Sequence, residues 1–258
     1  MKAPDFVASM IMADSKMSDP RTTPFDHFQP HLSVPTGRVT AIEILPKFPI
    51  AASKRSEVRA APADPGIVAA SRAMKALADN GHRHLSVCVT VPWTWIEDAQ
   101  AINLALQVVC DAEVVPYNLV VQISDETPLV HMPSAIRGIA KLRRRGVEAC
   151  LSNFGSAIHA HHYLRSLPFS SARLDASLVE ASRGSARDAV ILRSLIDMLR
   201  EMSIKVTVDG INGREDLALV AQAQADVAQG AYITPPIGLD LLIPWLNTTN
   251  RLTARRAR

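Results

Sequence analysis

The sequence is poor in the features that mark several classes of protein. Aromatic residues make up 5% of its 258 positions, and Lys plus Arg outnumber Asp plus Glu by only 28 to 25. A net charge of +3 is too small to indicate a nucleic-acid partner. No apolar run approaches the length of a membrane span, so we expect no membrane contact.

Cysteine is also scarce. Cys88, Cys110 and Cys150 lie in apolar runs and lack the spacing of a metal site or of a disulfide framework. We therefore expect inert core thiols in a reducing compartment. Residues 1–23 contain no positive segment followed by a long apolar one, so the sequence predicts no signal peptide and a cytoplasmic location.

Apolar residues are abundant, at 48% of the chain, which is enough for a full core. Strand-like and helix-like segments alternate along nearly the whole length, without a repeat or a linker. This alternation favours an α/β fold of the TIM-like (β/α)₈ barrel type over an open sheet. We expect a flexible leader over 1–24, one domain over 25–246 and a basic C-terminal tail over 247–258.

The hydrophobic pattern also predicts local structure. Residues 25–45 are typical of two extended pieces joined by a turn at Thr36 and Gly37. Residues 95–110 have the spacing of one amphipathic helix. A long helix is predicted to start at Ser185 and to turn Val190 towards the core.

The stretch over 146–179 organises the chain. It predicts a buried strand over 147–151, a polar loop that begins at Ser152 and Asn153, a short helix that Pro168 ends, and a second strand from Ala172. Two strands so close together, joined by a helix, indicate a βαβ unit in a parallel sheet.

This stretch resembles the central block of EAL-domain cyclic di-GMP phosphodiesterases, which carries D-D-F-G, Y-L-R-x-L-P and L-K-I-D. The opening of the chain is similar too, since Gln29, Pro30, Glu43 and Leu45 fall on the family's first motif. The resemblance covers about residues 25–246 and implies a barrel with an irregular first strand.

The resemblance also implies where a divalent metal would bind. The family places four oxygen ligands on successive strands, and hydrolysis needs them to hold the metal and to lower the pKa of its bound water. Only the first, Glu43, is kept; the others correspond to Cys88, Gln122 and Ser152, with Asn153 in place of the second aspartate. We therefore expect that no catalytic metal is held, and that the chain needs no cofactor.

The remaining machinery is altered as well. The family's lysine corresponds to Arg173, and a later glutamate is shortened to Asp209, whereas Gln229 is kept. The phosphate-binding arginine corresponds to Lys47, which offers a point charge without the bidentate fork. With the four ligand positions and Asn153, these residues make up a vestigial phosphodiesterase pocket in the prediction.

More than one interpretation stays open at several residues. Glu43 is either a metal ligand or part of a buried hydrogen-bond network. The histidines at 159, 161 and 162 suggest a zinc site, but no further Cys, Asp or Glu with suitable spacing lies nearby. The other interpretation is that they form a solvated helix start. Asp125 and Glu126 are either an acid/base pair or a helix cap. Cys88 is a nucleophile or a small buried hydrophobe.

These substitutions favour a catalytically inactive, degenerate EAL domain, not an enzyme, that regulates bacterial signalling through contacts with a protein partner. The alternative is a receptor that binds cyclic di-GMP without cleaving it, and a residual phosphodiesterase is a distant third. Because the helix after Ser156 helps the family to dimerise, a homodimer is a further expectation.

Overall fold

The computed structural model describes residues 25–46, 64–124, 129–156 and 160–256. Its strands are β1 (Phe25–Ser33), β2 (Val39–Pro46), β3 (Ser86–Val91), β4 (Leu119–Ser124), β5 (Glu148–Phe154), β6 (Ser171–Leu174), β7 (Lys205–Val208), β8 (Val227–Ala228) and β9 (Ile237–Gly238). Strands β2 to β8 are parallel neighbours in chain order. Strand β1 pairs antiparallel with both β2 and β8, and these pairings close an eight-stranded barrel. The predicted TIM-like barrel with an irregular first strand is confirmed.

Helices cover the outside of this barrel. They are α1 (Pro65–Asp79), α2 (Trp93–Glu97), α3 (Ala99–Asp111), α4 (Met132–Arg144), α5 (Ala160–Ser166), α6 (Ala176–Ser182), α7 (Ala186–Glu201), α8 (Arg214–Gln222) and α9 (Leu239–Arg256). One core lies between the helices and the strands, and its largest fully buried side chains include Trp93, Phe154 and Ile42. No helix within the described residues is long and apolar enough to cross a membrane.

The first two strands form the predicted hairpin. Gly37 adopts a φ of +65° between them, a conformation that glycine reaches without a steric penalty. The βαβ unit also forms as predicted, since β5 and β6 are parallel neighbours on either side of α5.

The helix predicted over 95–110 is instead two helices. Asp98 has an extended backbone between α2 and α3, and its carboxylate accepts hydrogen bonds from the backbone N–H groups of Gln100 and Ala101. Asp is a strong N-cap residue, so its carboxylate favours a new helix start over continuation of the first helix.

The predicted loop start at Ser152 is three residues too early. Strand β5 continues through Phe154, although Asn153 has a φ of +58° and the pairing with β6 shifts register there. Asn is one of the few non-glycine residues that tolerate this conformation. The irregularity turns the strand end without ending the strand.

Two predicted core residues are exposed. Val190 on α7 is 53% exposed, because Leu192, Ile196 and Leu199 form the buried stripe of that helix. Cys110, near the end of α3, is also exposed, whereas the other two cysteines are buried as expected. Apolar character alone does not fix which face of a helix a residue occupies.

The predicted boundary at 246 falls inside a helix. Helix α9 runs to Arg256, so most of the predicted tail is helical backbone, and the buried Leu242, Trp245 and Leu246 attach its first half to the core. Pro244 lies in the second turn of α9, where its missing N–H leaves one helical hydrogen bond unmade. The predicted leader over 1–24 and most of the loop over 49–65 lie outside the described residues.

Candidate functional site at the carboxyl ends of the barrel strands

Polar side chains from several strands converge inside the carboxyl end of the barrel. Successive residues of a strand point to opposite faces, so every second side chain of each strand enters the barrel. Along β5 this places Glu148, Cys150 and Ser152 inside, from the amino to the carboxyl end. We use the name arginine cluster for the connected group at the carboxyl end: Glu43, Ser152, Asn153, Arg173, Asp209 and Gln229.

Glu43, in the middle of β2, is 1% exposed. Both of its carboxylate oxygens accept hydrogen bonds from Nη1 of Arg173, at 2.9 and 2.7 Å. Oε2 also accepts a hydrogen bond from the side-chain amide of Gln229, and Nε2 of His31 lies 3.8 Å from the same oxygen. Glu43 therefore lies in a buried hydrogen-bond network, as one of the two interpretations of its sequence expected.

Arg173, in β6, joins three strands. Besides the two bonds from Nη1 to Glu43, its Nη2 donates to Ser152 Oγ and to Asn153 Oδ1, each at 3.1 Å. The planar guanidinium presents several donors in fixed directions, which suits such a set of acceptors. The result is a cation whose two terminal nitrogens are engaged by side chains of β2 and β5.

Asp209 brings a second carboxylate to the guanidinium. Its Oδ2 lies 3.4 Å from Arg173 Nη1, and its Oδ1 accepts a hydrogen bond of 2.7 Å from the backbone N–H of Gly210. Burial raises the pKa of Asp209, with Arg173 acting in the opposite direction. Asp209 follows β7 directly, so it adds the end of that strand to the cluster.

The ion pair sets the protonation of the cluster. Burial by itself would raise the pKa of Glu43, but Arg173, His31 and Gln229 together outweigh burial and lower that pKa from 4.5 to about 2. Burial would lower the pKa of Arg173, and Glu43 and Asp209 raise it instead. Glu43 and Arg173 are consequently both charged at neutral pH.

Two residues of the predicted pocket lie elsewhere. Cys88 packs with Ala41, Val120 and Cys150 in a small apolar cluster inside the barrel. Gln122 accepts a hydrogen bond from Thr90 Oγ1 at 3.2 Å. Neither is hydrogen-bonded to the guanidinium in the described structure, so hydrogen bonds and ion pairs connect six of the nine predicted residues. Lys47 lies outside the described residues.

Cys88 and Gln122 instead border a cavity at the opposite end of the barrel. We name this the amino-end cavity, of about 40 Å³, because the first residues of β3, β5, β6, β7 and β8 line it: Ser86, Glu148, Ser171, Lys205 and Val227. Two buried polar atoms beside it, His31 Nε2 and Thr40 Oγ1, have no hydrogen-bond partner among the described residues.

Cys88 does not have the surroundings of a nucleophile. Burial raises the pKa of its thiol, and the nearby charge of Glu43 raises it further. Burial also raises the pKa of Cys150, to about 12. Both residues therefore remain neutral thiols, which agrees with the interpretation of Cys88 as a small buried hydrophobe.

The zinc and acid/base interpretations fall mainly on residues outside the described structure. His162 is exposed on α5, whereas residue 159, the side chain of residue 161, Asp125 and Glu126 lie outside what the structure describes. Within the described residues, no three His, Cys, Asp or Glu side chains are placed to hold a metal ion.

His31 lies near the site but was not among the predicted site residues. His31 lies on β1, and its Nε2 is close to the carboxylate of Glu43. On the same strand, Gln29 Oε1 accepts a hydrogen bond of 3.1 Å from the side-chain amide of Gln229. The alternation of His27, Gln29 and His31 along a predicted strand was the available signal. Gln29 therefore borders the site from the antiparallel strand, and His31 lies between Glu43 and the amino-end cavity.

The arginine cluster does not fit a divalent metal ion. Mg²⁺ and similar ions need several oxygen ligands, largely from carboxylates. Here both oxygens of Glu43 are bonded to Arg173, and the corresponding positions on β3 and β4 hold a thiol and an amide that lie towards the amino-end cavity. Ser152 supplies a neutral hydroxyl that is itself an acceptor for the guanidinium.

The chain matches known proteins of one family. The profile of the EAL domain family matches residues 67–236, and the chain belongs to that family. The cyclic di-GMP phosphodiesterase NbdA of Pseudomonas aeruginosa is 24% identical over 177 residues, or 69% of this chain. The cyclic di-GMP phosphodiesterase PA2567 of the same organism is 22% identical over 233 residues, or 85%. The chain spans only 23% and 39% of these two proteins.

Solved EAL structures share the fold. The EAL domain of Mycobacterium smegmatis DcpA superposes with a TM-score of 0.78 at 17% identity, covering 87% of this chain and 96% of that domain. A complex of the PaMucR phosphodiesterase with cyclic di-GMP gives a TM-score of 0.74 at 18% identity, covering 84% and 93%.

The comparisons overturn one expectation from the sequence. The chain was expected not to be an enzyme, yet relatives that match most of its length are named cyclic di-GMP phosphodiesterases. The expectation rested on substituted metal ligands within a motif, and such substitutions do not by themselves exclude turnover. What stands is that the chain is an EAL domain of the cyclic di-GMP signalling family.

Proposed function

We propose that this chain is a regulatory domain of cyclic di-GMP signalling that binds cyclic di-GMP at the carboxyl end of its barrel. The observation that carries the proposal is the arginine cluster, which places a charged guanidinium and two side-chain amides at the strand ends of an EAL fold. Ligands of such barrels bind at this end. The PaMucR phosphodiesterase, which shares the fold, has been solved with cyclic di-GMP.

The polar groups of the cluster suit a nucleotide with both phosphates and bases. Arg173 Nε is a buried donor without a partner among the described residues, and Gln229 Oε1 is a buried acceptor in the same state. An unpaired buried polar group is costly, so a ligand that supplies its partner gains affinity. Because two carboxylates balance the positive charge of the guanidinium, we expect hydrogen bonds to contribute more to the affinity for the nucleotide than net charge does.

The experiment is calorimetric titration with cyclic di-GMP, in magnesium and then in EDTA, with chromatography of the same samples for linear product. We expect saturable binding of one nucleotide, and GMP as the competitor should bind far more weakly. Absence of binding in both buffers would contradict the proposal. The chromatogram measures hydrolysis separately.

A pair of matched variants tests the location. Asn153→Gly removes an amide at the carboxyl end while tolerating the φ of +58°. Asn80→Gly makes the same change in the loop after α1, at the other end of the barrel. We expect Asn153→Gly to weaken binding about tenfold, the loss of one good hydrogen bond, and Asn80→Gly to leave it unchanged. Equal effects would place the nucleotide elsewhere.

A second candidate is regulation through contact with a protein partner, including a second copy of the chain. The observation that favours it is the adjacent pair Val190 and Ile191 on α7, which are 53% and 44% exposed. Exposed apolar neighbours are typical of contact surfaces. Changing both to Ser should abolish a partner's capture, or the self-association measured by sedimentation, whereas Arg187→Ser on the same helix should not.

A further inference from the structure

Two of the four positions that the family resemblance assigns to metal ligands are bridged here by one side chain. Glu43 on β2 and Ser152 on β5 both bond to the guanidinium of Arg173, through Nη1 and Nη2 respectively. The guanidinium therefore lies between the groups that would share a metal ion.

The contacts of Arg173 are those of a built-in cation. Nη1 also lies 3.4 Å from the carboxylate of Asp209, so the positive charge faces one carboxylate from β2 and one from the end of β7. Arg173 is 9% exposed, and Glu43 is 1% exposed. Charges this deeply buried are retained only when they are paired and hydrogen-bonded, as these are.

A divalent ion would have to displace this arrangement. It would compete for oxygens that already accept short, charge-assisted bonds, and it would lie close to a buried positive charge. The hydroxyl that replaces an aspartate at position 152 adds no negative charge to offset that repulsion.

We propose that Arg173 is the resident cation of this site, in place of a divalent metal ion. Glu43 then serves to hold the guanidinium and not to ligate a metal. For the nucleotide, which rests on the function proposed above, binding at this end of the barrel is independent of divalent ions.

The first experiment needs no nucleotide. Mn²⁺ is titrated into the purified chain up to about 1 mM, a range that covers weak protein sites, and free Mn²⁺ is followed by its electron paramagnetic resonance signal. Glu43→Gln is compared with Asp111→Asn, which removes the same charge from the exposed end of α3. We expect the wild type and both variants to give the same curve. A stoichiometric site that Glu43→Gln abolishes and Asp111→Asn preserves would overturn the proposal.

The converse variant restores the family's chemistry. Ser152→Asp combined with Arg173→Lys adds a carboxylate and withdraws the bidentate fork, and circular dichroism establishes that the variant is folded. We expect it to gain Mn²⁺ binding by at least about tenfold over the wild type, because carboxylates then face each other across the site. A folded variant that binds no more Mn²⁺ than the wild type would overturn the assignment of Arg173 as the resident cation.

The nucleotide titration in EDTA and in Mn²⁺ completes the test. We expect affinities that agree within about twofold, since the cation is part of the chain. A tenfold gain in Mn²⁺ would overturn metal independence. If cyclic di-GMP binds in neither buffer, the proposed function fails, while the Mn²⁺ titrations still decide the role of Arg173.

Discussion

The two ends of this barrel solve the problem of buried polar groups differently. At the carboxyl end, the arginine cluster pairs each charge with an opposite one and connects β2, β5, β6 and β7. At the amino end, hydroxyls, two thiols, a histidine and the charged Glu148 and Lys205 line a cavity of about 40 Å³. Each end has two buried polar atoms without a partner among the described residues. The carboxyl end is thus organised around one buried guanidinium, whereas the polar side chains of the amino end surround a cavity.

This difference has an energetic consequence. A buried ion pair adds little stability by itself, but removing one partner leaves an uncompensated charge. A loosely filled cavity can lose a polar group at almost no cost. Equivalent substitutions at the two ends should therefore differ sharply in their effect on the free energy of unfolding.

The largest effect is expected for Arg173→Met, which removes the guanidinium and keeps most of the side-chain volume. It leaves Glu43 buried without its cation, so we expect a loss of about 3–5 kcal/mol in the free energy of unfolding, measured with urea. Lys205→Met, at the exposed start of β7 beside the amino-end cavity, should change it by less than about 0.5 kcal/mol.

The double variant Glu43→Gln with Arg173→Met shows whether charge or packing causes the loss of stability in Arg173→Met. Since the carboxylate is then neutral, the double variant should be more stable than Arg173→Met alone. A double variant whose loss equals the sum of the two single losses would show that packing, and not charge, dominates the carboxyl end.

Lowering the pH should break the ion pair between Glu43 and Arg173. The pKa of Glu43 is about 2 in the folded protein and near 4.5 in the unfolded chain, so its ionisation stabilises the fold above pH 4.5. That contribution, about 3 kcal/mol, is lost as the pH falls from 4.5 towards 2. The stability difference between the wild type and Glu43→Gln should shrink over this window. A difference that stays constant from pH 6 to pH 2.5 would contradict the ion pair.

Two glycines with the same backbone conformation, one at each end of the barrel, allow the packing of the two ends to be compared. Gly210, after β7, and Gly81, after α1, both have a φ of +84°. A Cβ at Gly210 would lie 2.7 Å from the Cβ of Ala176, whereas a Cβ at Gly81 meets nothing within 4 Å. We expect Gly81→Ala to cost about 1 kcal/mol for its backbone and Gly210→Ala about 1–3 kcal/mol more. Equal melting temperatures of the two variants would show that the carboxyl end adjusts to the added methyl group.

Much of this architecture could be predicted from the sequence, but the ion pair at its centre could not. Strands such as β4 and β5 were predictable because short apolar runs between turn residues are typical of buried strands. The bond between Glu43 and Arg173 was not, because it joins residues 130 positions apart and depends on the reach and rotamer of the arginine. The resemblance placed both residues at the site, and only the three-dimensional structure showed that they satisfy each other.

The sequence also could not distinguish which end of the barrel a polar side chain faces. Cys88 and Gln122 align with ligand positions, yet both border the amino-end cavity. Each strand sends several side chains inside, and their depth depends on the stagger between strands. A residue's place in a motif therefore gave its strand but not its level in the barrel.

The smallest effect is expected for Thr40→Val at the amino end. Thr40 Oγ1 is buried beside the cavity without a partner among the described residues, so replacing it with an isosteric methyl removes an unsatisfied group. We expect the free energy of unfolding to rise or to change by less than about 0.5 kcal/mol. Ser152→Ala, whose hydroxyl accepts a bond from Arg173, should instead lose about 1–2 kcal/mol. If Thr40→Val costs as much as Ser152→Ala, the amino-end cavity holds ordered water or another guest that bonds to the hydroxyl, and the contrast between the two ends disappears.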